Sequence, residues 1–127
     1  MILGIGTDLV EVHRIRDSID RFGDRFISRI YTDREQVYCR SKANAAERFA
    51  ARFAAKEAGM KAIGTGWRRG VTWRDFEVAN ESSGRPILKL YGAAEKIAKD
   101  LGVGRISLSL THTGQEGFAI VILENGL

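Results

Sequence analysis

The sequence predicts a single α+β domain, and three observations carry that reading. Apolar periodicity alternates between two and about 3.6 along the chain in the order β-α-α-α-β-β-α-β-β, which segregates helices from paired strands instead of alternating them. At 127 residues with 44% hydrophobic side chains, the chain can fill one core and is too short for two. No proline-rich linker, low-complexity stretch or tandem repeat interrupts it, so one unit is predicted over residues 1–127.

From Ile2 to Val10, β-branched and aliphatic residues predict a strand on which Gly4, Gly6 and Asp8 share a face. The two glycines are expected to leave open space beside that carboxylate. From Glu11 the period lengthens. Ile15, Ile19, Phe22 and Phe26 form a helical stripe, Gly23 is an expected break or bend, and Arg14, Arg21 and Arg25 flank the stripe. Thr32 and Glu35 stand at capping-box spacing and should start a short helix.

A stronger, alanine-dense helix is predicted from about Ala45 to Ala62, ended by Gly64-Thr65-Gly66. Two strands, from Phe76 to Ala79 and from Pro86 to Leu90, should pair around the turn Glu81-Ser82-Ser83-Gly84-Arg85, with Pro86 at a strand's first position. A helix from Ala93 to Leu101 stops at Gly102. Strands from Arg105 to Thr111 and from Gly117 to Leu123 then close a second hairpin around Thr113-Gly114-Gln115-Glu116.

Composition narrows the class of activity. Cys39 is the single cysteine, which excludes an intramolecular disulfide and leaves too few thiolates for a structural zinc or iron–sulfur site; a reducing, cytoplasmic setting is expected. The first eight residues lack a basic leader and carry Asp8 early, and no apolar run reaches membrane-spanning length, so neither secretion nor a membrane partner is expected. A net charge of +4 favours an anionic partner. Nucleic acid is one such partner, but the chain lacks a helix-turn-helix, RNA-recognition or zinc-finger signature. A non-catalytic nucleic-acid-binding module is therefore the lesser alternative.

The chemistry gathers on the alanine-dense helix. Phe49, Phe53, Glu57 and Met60 lie in line, which places a glutamate on an apolar stripe, where it needs a cation, a metal or a donor. Lys61, four residues on, is the ordinary partner. Asp8, at the end of its strand, could supply the second carboxylate of a magnesium site, since Mg²⁺ takes one or two carboxylates together with water and substrate phosphates. Arg48, Arg52 and Lys56 form a ladder of like charge with no acid three or four residues from Arg52, a set that suits a polyanion such as phosphate. The Gly64-Thr65-Gly66 loop can cradle a phosphate with its N–H groups or simply cap the helix. His112 follows the apolar parity of its strand and reads as a core or turn histidine that enters a loop. His13 and Cys39 read as structural, and no nucleophilic triad is supported.

These pieces together resemble the holo-[acyl-carrier-protein] synthases, the short class of 4'-phosphopantetheinyl transferases. The matching segments, in order, are Gly4 to Glu11, Arg21-Phe22-Gly23, Arg52 to Ala58, Lys61 to Gly66, Asp75 to Val78, Gly84-Arg85-Pro86 and Ser109 to Thr113, so nearly all of the chain is covered.

The resemblance implies a homotrimer with coenzyme A as substrate at the subunit interfaces, and Mg²⁺ on Asp8 and Glu57. The implied reaction moves the phosphopantetheine arm of coenzyme A onto a serine of an acyl carrier protein, in support of fatty acid biosynthesis. A non-catalytic coenzyme A-binding domain is the alternative. By position, Lys61 and the Gly64-Thr65-Gly66 loop would meet the phosphates, with Arg52 contributing charge. Arg85, Pro86, His112 and Thr113 would line the adenine and 3'-phosphate end, while Arg14, Arg21 and Arg25 would meet the acidic carrier. Glu57, directly or through a water, is the candidate base, and Lys61 would stabilise the departing 3',5'-ADP. One departure is Ser18, a small residue where the family's carrier-facing helix often has a bulky apolar one.

Overall fold

The chain opens with strand β1 (Ile2–Glu11), followed by helices α1 (Val12–Phe22), α2 (Asp24–Ile30), α3 (Asp33–Arg40) and α4 (Ala45–Ile63). A 3-10 turn (Trp73–Asp75) leads into the hairpin β2 (Phe76–Asn80) and β3 (Pro86–Leu90), then helix α5 (Gly92–Leu101) and the hairpin β4 (Arg105–His112) and β5 (Glu116–Glu124). The computed structural model describes residues 1–126; the last position of the predicted unit lies outside the described residues.

The α+β expectation holds with one added element. Gly23, at φ 55°, splits the helical stretch after β1 in two, so four helices precede β2 where three were expected. The chain turns there, and Phe22, expected on the buried stripe, stands half-exposed. The capping box at Thr32 forms as predicted, Thr32 Oγ1 accepting from Glu35 N and Thr32 N donating to Glu35 Oε1.

β1, β5 and β4 form an antiparallel sheet in that order, and β2 and β3 pair separately. Helix α4 lies across one face of the three-stranded sheet, and the buried apolar side chains of both form one continuous core. The contact is close because α4 presents Ala51, Ala55, Ala58 and Ala62 while the strands answer with glycine. A Cβ at Gly6 would overlap the carbonyl oxygen of Ala58, one at Gly4 that of Ala62, and one at Gly117 would come within 3.0 Å of Ala51 N. The two glycines of β1 therefore do not leave open space beside Asp8. The backbone of α4 fills it, and Asp8 is thereby brought against that helix.

A second correction concerns the basic ladder. Lys56 does not face a solvent polyanion. It is fully buried, its Nζ 2.6 Å from Glu35 Oε1 and donating to Trp73 O at 3.1 Å and to Phe76 O. Glu35 Oε2 also accepts from Val78 N at 2.8 Å, so the pair ties α3, α4 and β2 together. Burial pulls the Lys56 ammonium below the ordinary lysine value, with the Glu35 charge opposing. Cys39 is buried nearby, its thiol pushed up to about 12 mainly by burial, which makes it inert and agrees with the structural role expected of it.

Among the described residues, no element covers the opposite face of the sheet. Ile5 and Leu9 of β1 are 55% and 60% exposed, and Phe118, Ile120 and Ile122 of β5 continue the same apolar face.

Candidate functional site

The close crossing of β1 over the C-terminal half of α4 assembles the chemistry. Asp8 Oδ1 accepts from Lys61 Nζ at 3.2 Å, and the same ammonium donates to Thr7 O at 3.0 Å. Lys61 is thus committed to Asp8, and the ordinary Glu57–Lys61 pair expected of an i, i+4 spacing does not form. Glu57 stands one helical turn before Lys61 on the same side of α4. Its Oε2 accepts instead from two indoles, Trp73 Nε1 at 3.0 Å and Trp67 Nε1 at 3.3 Å.

Those tryptophans were absent from the expected site. The usable signal was the need of a half-buried carboxylate for donors, which the two tryptophans on the loop after α4 can meet. Arg29, Trp67, Val71, Thr72 and Trp73 line a cleft of about 360 Å³ beside them.

Arg52 lies inside, 3% exposed. Its guanidinium sits 4.2 Å from the Tyr38 ring centroid and donates to Asn80 Oδ1 at 3.1 Å, and its Nε is the buried side-chain atom without a hydrogen-bond partner among the described residues. Asn80 in turn donates to Gly84 O, which links Arg52 to the turn that carries Arg85 and Pro86. Arg85 is exposed there and Pro86 opens β3.

The glycine loop caps the helix. Gly64, in the left-handed conformation at φ 80°, donates to Lys61 O, and Thr65 N donates to Met60 O. Gly66 also has positive φ. At the second hairpin, Thr113 Oγ1 accepts from Gln115 N and Glu116 N, and His112 Nδ1 lies 3.3 Å from Glu47 Oε1 in the first turn of α4.

The expected site residues therefore divide into two groups within one chain. At 1.5 Å per residue, Glu47 and Lys61 stand about 21 Å apart along α4. Asp8, Glu57, Lys61 and the 64–66 loop are at one end, His112 and Thr113 at the other.

Arg14, Arg21 and Arg25 are exposed. Arg14 pairs with Glu11 at 3.5 Å, and Arg21 lies over the half-exposed Phe22 ring at 5.5 Å. Arg25 lines a surface cleft with Phe22, Phe26 and Arg29, so cationic and aromatic groups interleave on this face.

The donor set at Asp8 and Glu57 fits a hard divalent cation that keeps most of its shell for phosphate and water. Both are carboxylates, and among the described residues no group of three or more Asp, Glu, His or Cys gathers to make an all-protein cage. Among the described residues no helix is long and apolar enough to cross a membrane.

Comparison with known proteins gives the family of the chain. Residues 4–121 match the family model of the 4'-phosphopantetheinyl transferase superfamily. The chain is 63% identical over 125 residues to a holo-[acyl-carrier-protein] synthase of Solibacter usitatus, with 98% of this chain and 100% of the relative covered. It superposes on the crystal structure of the holo-[acyl-carrier-protein] synthase of Neisseria meningitidis with a TM-score of 0.89 at 36% identity, covering 98% of this chain and 99% of that one. The holo-(acyl-carrier-protein) synthase of Bacillus anthracis, solved in complex with CoA (3',5'-ADP), gives a TM-score of 0.80 at 35% identity, covering 97% of this chain and 96% of that one.

Proposed function

We propose, for a chain that belongs to the 4'-phosphopantetheinyl transferase superfamily, that it transfers the phosphopantetheine arm of coenzyme A to a serine of an apo acyl carrier protein and releases 3',5'-ADP. The observation that carries the reading is the Asp8–Lys61 pair at 3.2 Å where β1 crosses α4, with Glu57 one turn before Lys61 on the same side of the helix.

Displacement at a diphosphate asks a protein for alignment and charge neutralisation more than for covalent chemistry. Lys61, exposed and aimed by Asp8 and Thr7 O, is placed to neutralise the oxygen on which the nucleotide leaves. Asp8 and Glu57 would hold Mg²⁺, which when bound supplies Lewis-acid stabilisation of the diphosphate charge. The serine proton has Glu57, or a water that Glu57 orients, as its acceptor. Gly64, Thr65 and Gly66 would offer N–H groups to the same phosphates. Arg52 would act from within, by holding the turn of Arg85 and Pro86 through Asn80.

A second copy would supply the nucleoside end. His112 and Thr113 lie at the far end of α4, further from Lys61 than the few bonds between a diphosphate and its adenosine reach, so in a single chain they cannot serve the same molecule. The apolar sheet face with Ile5 and Leu9 supports assembly of copies, and a homotrimer would bring one chain's His112, Thr113, Arg85 and Pro86 to its neighbour's Asp8 and Glu57. The test of the function is direct. With coenzyme A and Mg²⁺, an apo carrier protein is expected to gain the mass of one phosphopantetheine arm, and a carrier of unchanged mass would refute the transfer.

The arginine face would receive the carrier. Arg21→Glu is expected to raise the KM for the carrier on the order of tenfold, with the KM for coenzyme A unchanged and the difference shrinking at high salt, as for a rim charge that steers an acidic partner. Steady-state kinetics at two ionic strengths checks this, and an unchanged carrier KM would remove Arg21 from the docking surface.

A further inference from the structure

The two indoles on Glu57 are unequal in a way that bears on the reaction, if the reading of Glu57 as a site acid is accepted. Both N–H groups converge on the same oxygen, Oε2, and among the described residues no hydrogen bond uses Oε1. An indole N–H donates and cannot accept, so the pair restrains the carboxylate without offering to exchange a proton with it. Hydrogen bonds to an ionised acceptor are also stronger than neutral ones.

Trp73 is fixed from several sides. Its ring stacks on Phe53 at 6.4 Å, the Arg29 guanidinium lies over it at 5.9 Å, and its carbonyl accepts from the buried Lys56 ammonium at 3.1 Å. Lys56 is itself immobilised by Glu35, so the donor to Glu57 is referenced to the core of the protein. Trp67 is 64% exposed. It sits on a loop where Gly66, Arg69 and Gly70 all have positive φ, and its ring meets Trp73 at 4.9 Å with a 60° tilt. A left-handed Arg69 marks a loop held away from its relaxed form.

We propose that Trp73 and Trp67 are positioning residues for the transfer, Trp73 as the fixed donor that sets the orientation of the Glu57 carboxylate and Trp67 as an exposed second donor that solvent can replace. Outer partners of this kind orient a ligating carboxylate, and their loss typically lowers metal affinity or activity about 10–100-fold.

The two tryptophans are the only ones in the chain, so an indole ¹⁵N–¹H spectrum reads both directly and without turnover. Glu57→Ala is expected to move both indole signals, and Mn²⁺ added with coenzyme A is expected to broaden both in the wild type and neither in Glu57→Ala. In the transfer assay, Trp73→Phe keeps a ring against Phe53 and removes the N–H. It should raise the half-saturating Mg²⁺ concentration about tenfold or more with the carrier KM unchanged, and Trp67→Phe should do so far less. Indole signals indifferent to Glu57→Ala, or a Trp73→Phe enzyme with wild-type Mg²⁺ dependence, would overturn the proposal. Should Trp73→Phe fail to fold, the Mn²⁺ broadening decides. A wild-type protein that leaves the carrier unmodified would remove the functional reading alone, and the indole signals would then decide the positioning by themselves.

Discussion

Asp8→Asn and Glu57→Gln are each expected to slow transfer to the carrier by about 10²-fold or more while leaving the fold intact. The size follows from the several kcal/mol that charge stabilisation by a bound cation contributes, at about 1.4 kcal/mol per factor of ten. Each substitution keeps side-chain volume and removes one anionic oxygen. Asparagine at position 8 can still accept from Lys61 Nζ, so the crossing of β1 and α4, which rests on Gly4 and Gly6 against the α4 carbonyls, is untouched. Glutamine at position 57 can keep its carbonyl oxygen on the indoles, but its amide nitrogen offers no lone pair to a cation. Initial rates across a Mg²⁺ titration, with a thermal melt of each variant, make the measurement. Wild-type rates at saturating Mg²⁺ in either variant would remove that residue from the site.

Lys56→Met is expected to destabilise the protein by about 3–5 kcal/mol, the usual cost of leaving one partner of a buried ion pair alone. That is a large share of the 5–15 kcal/mol by which domains of this kind are stable. The change strands the Glu35 carboxylate at 1% exposure and removes a donor from both Trp73 O and Phe76 O. Replacing both partners by apolar side chains, Glu35→Leu with Lys56→Met, should recover part of the loss, because the stranded Glu35 charge is then removed as well. Urea denaturation of the two singles and the double gives the coupling. A Lys56→Met protein within 1 kcal/mol of wild type would show that the pair does not hold α3, α4 and β2 together. Because Lys56 also anchors the segment of Trp73, the same variant should lose transfer beyond what its stability explains.

Much of the fold could be read along the chain. The capping box at Thr32, the stops at Gly64 and Gly102 and both hairpin turns are local events, set by side-chain oxygens within three residues and by glycine's access to positive φ. The Gly23 break was also visible, but whether it bends one helix or divides it into α1 and α2 depends on what each half packs against. The separation of adjacent positions on α4 was not legible. Lys56 and Glu57 are neighbours in an alanine-rich helix, and periodicity marked the glutamate as the awkward group on an apolar stripe. In the fold, the lysine is the fully buried one, because Glu35 and two carbonyls from distant segments meet it there.

The site divides along the same line. Residue order and type were enough to nominate Asp8 and Glu57 as possible ligands and gave Lys61 only as the ordinary partner of Glu57; its place at the phosphates came from the family resemblance. Pairing partners were another matter: Lys61 chose Asp8 over Glu57, and Glu57 took two indoles from a loop, contacts separated by 53, 10 and 16 residues in the chain. A hydrogen bond forms where packing brings donor and acceptor within about 3 Å, and spacing along a chain constrains that distance only inside one turn or one strand pair. Composition and pattern thus sufficed for the class of fold, the resemblance of ordered motifs named the chemistry, and the close glycine–alanine crossing of β1 and α4 decided which groups meet.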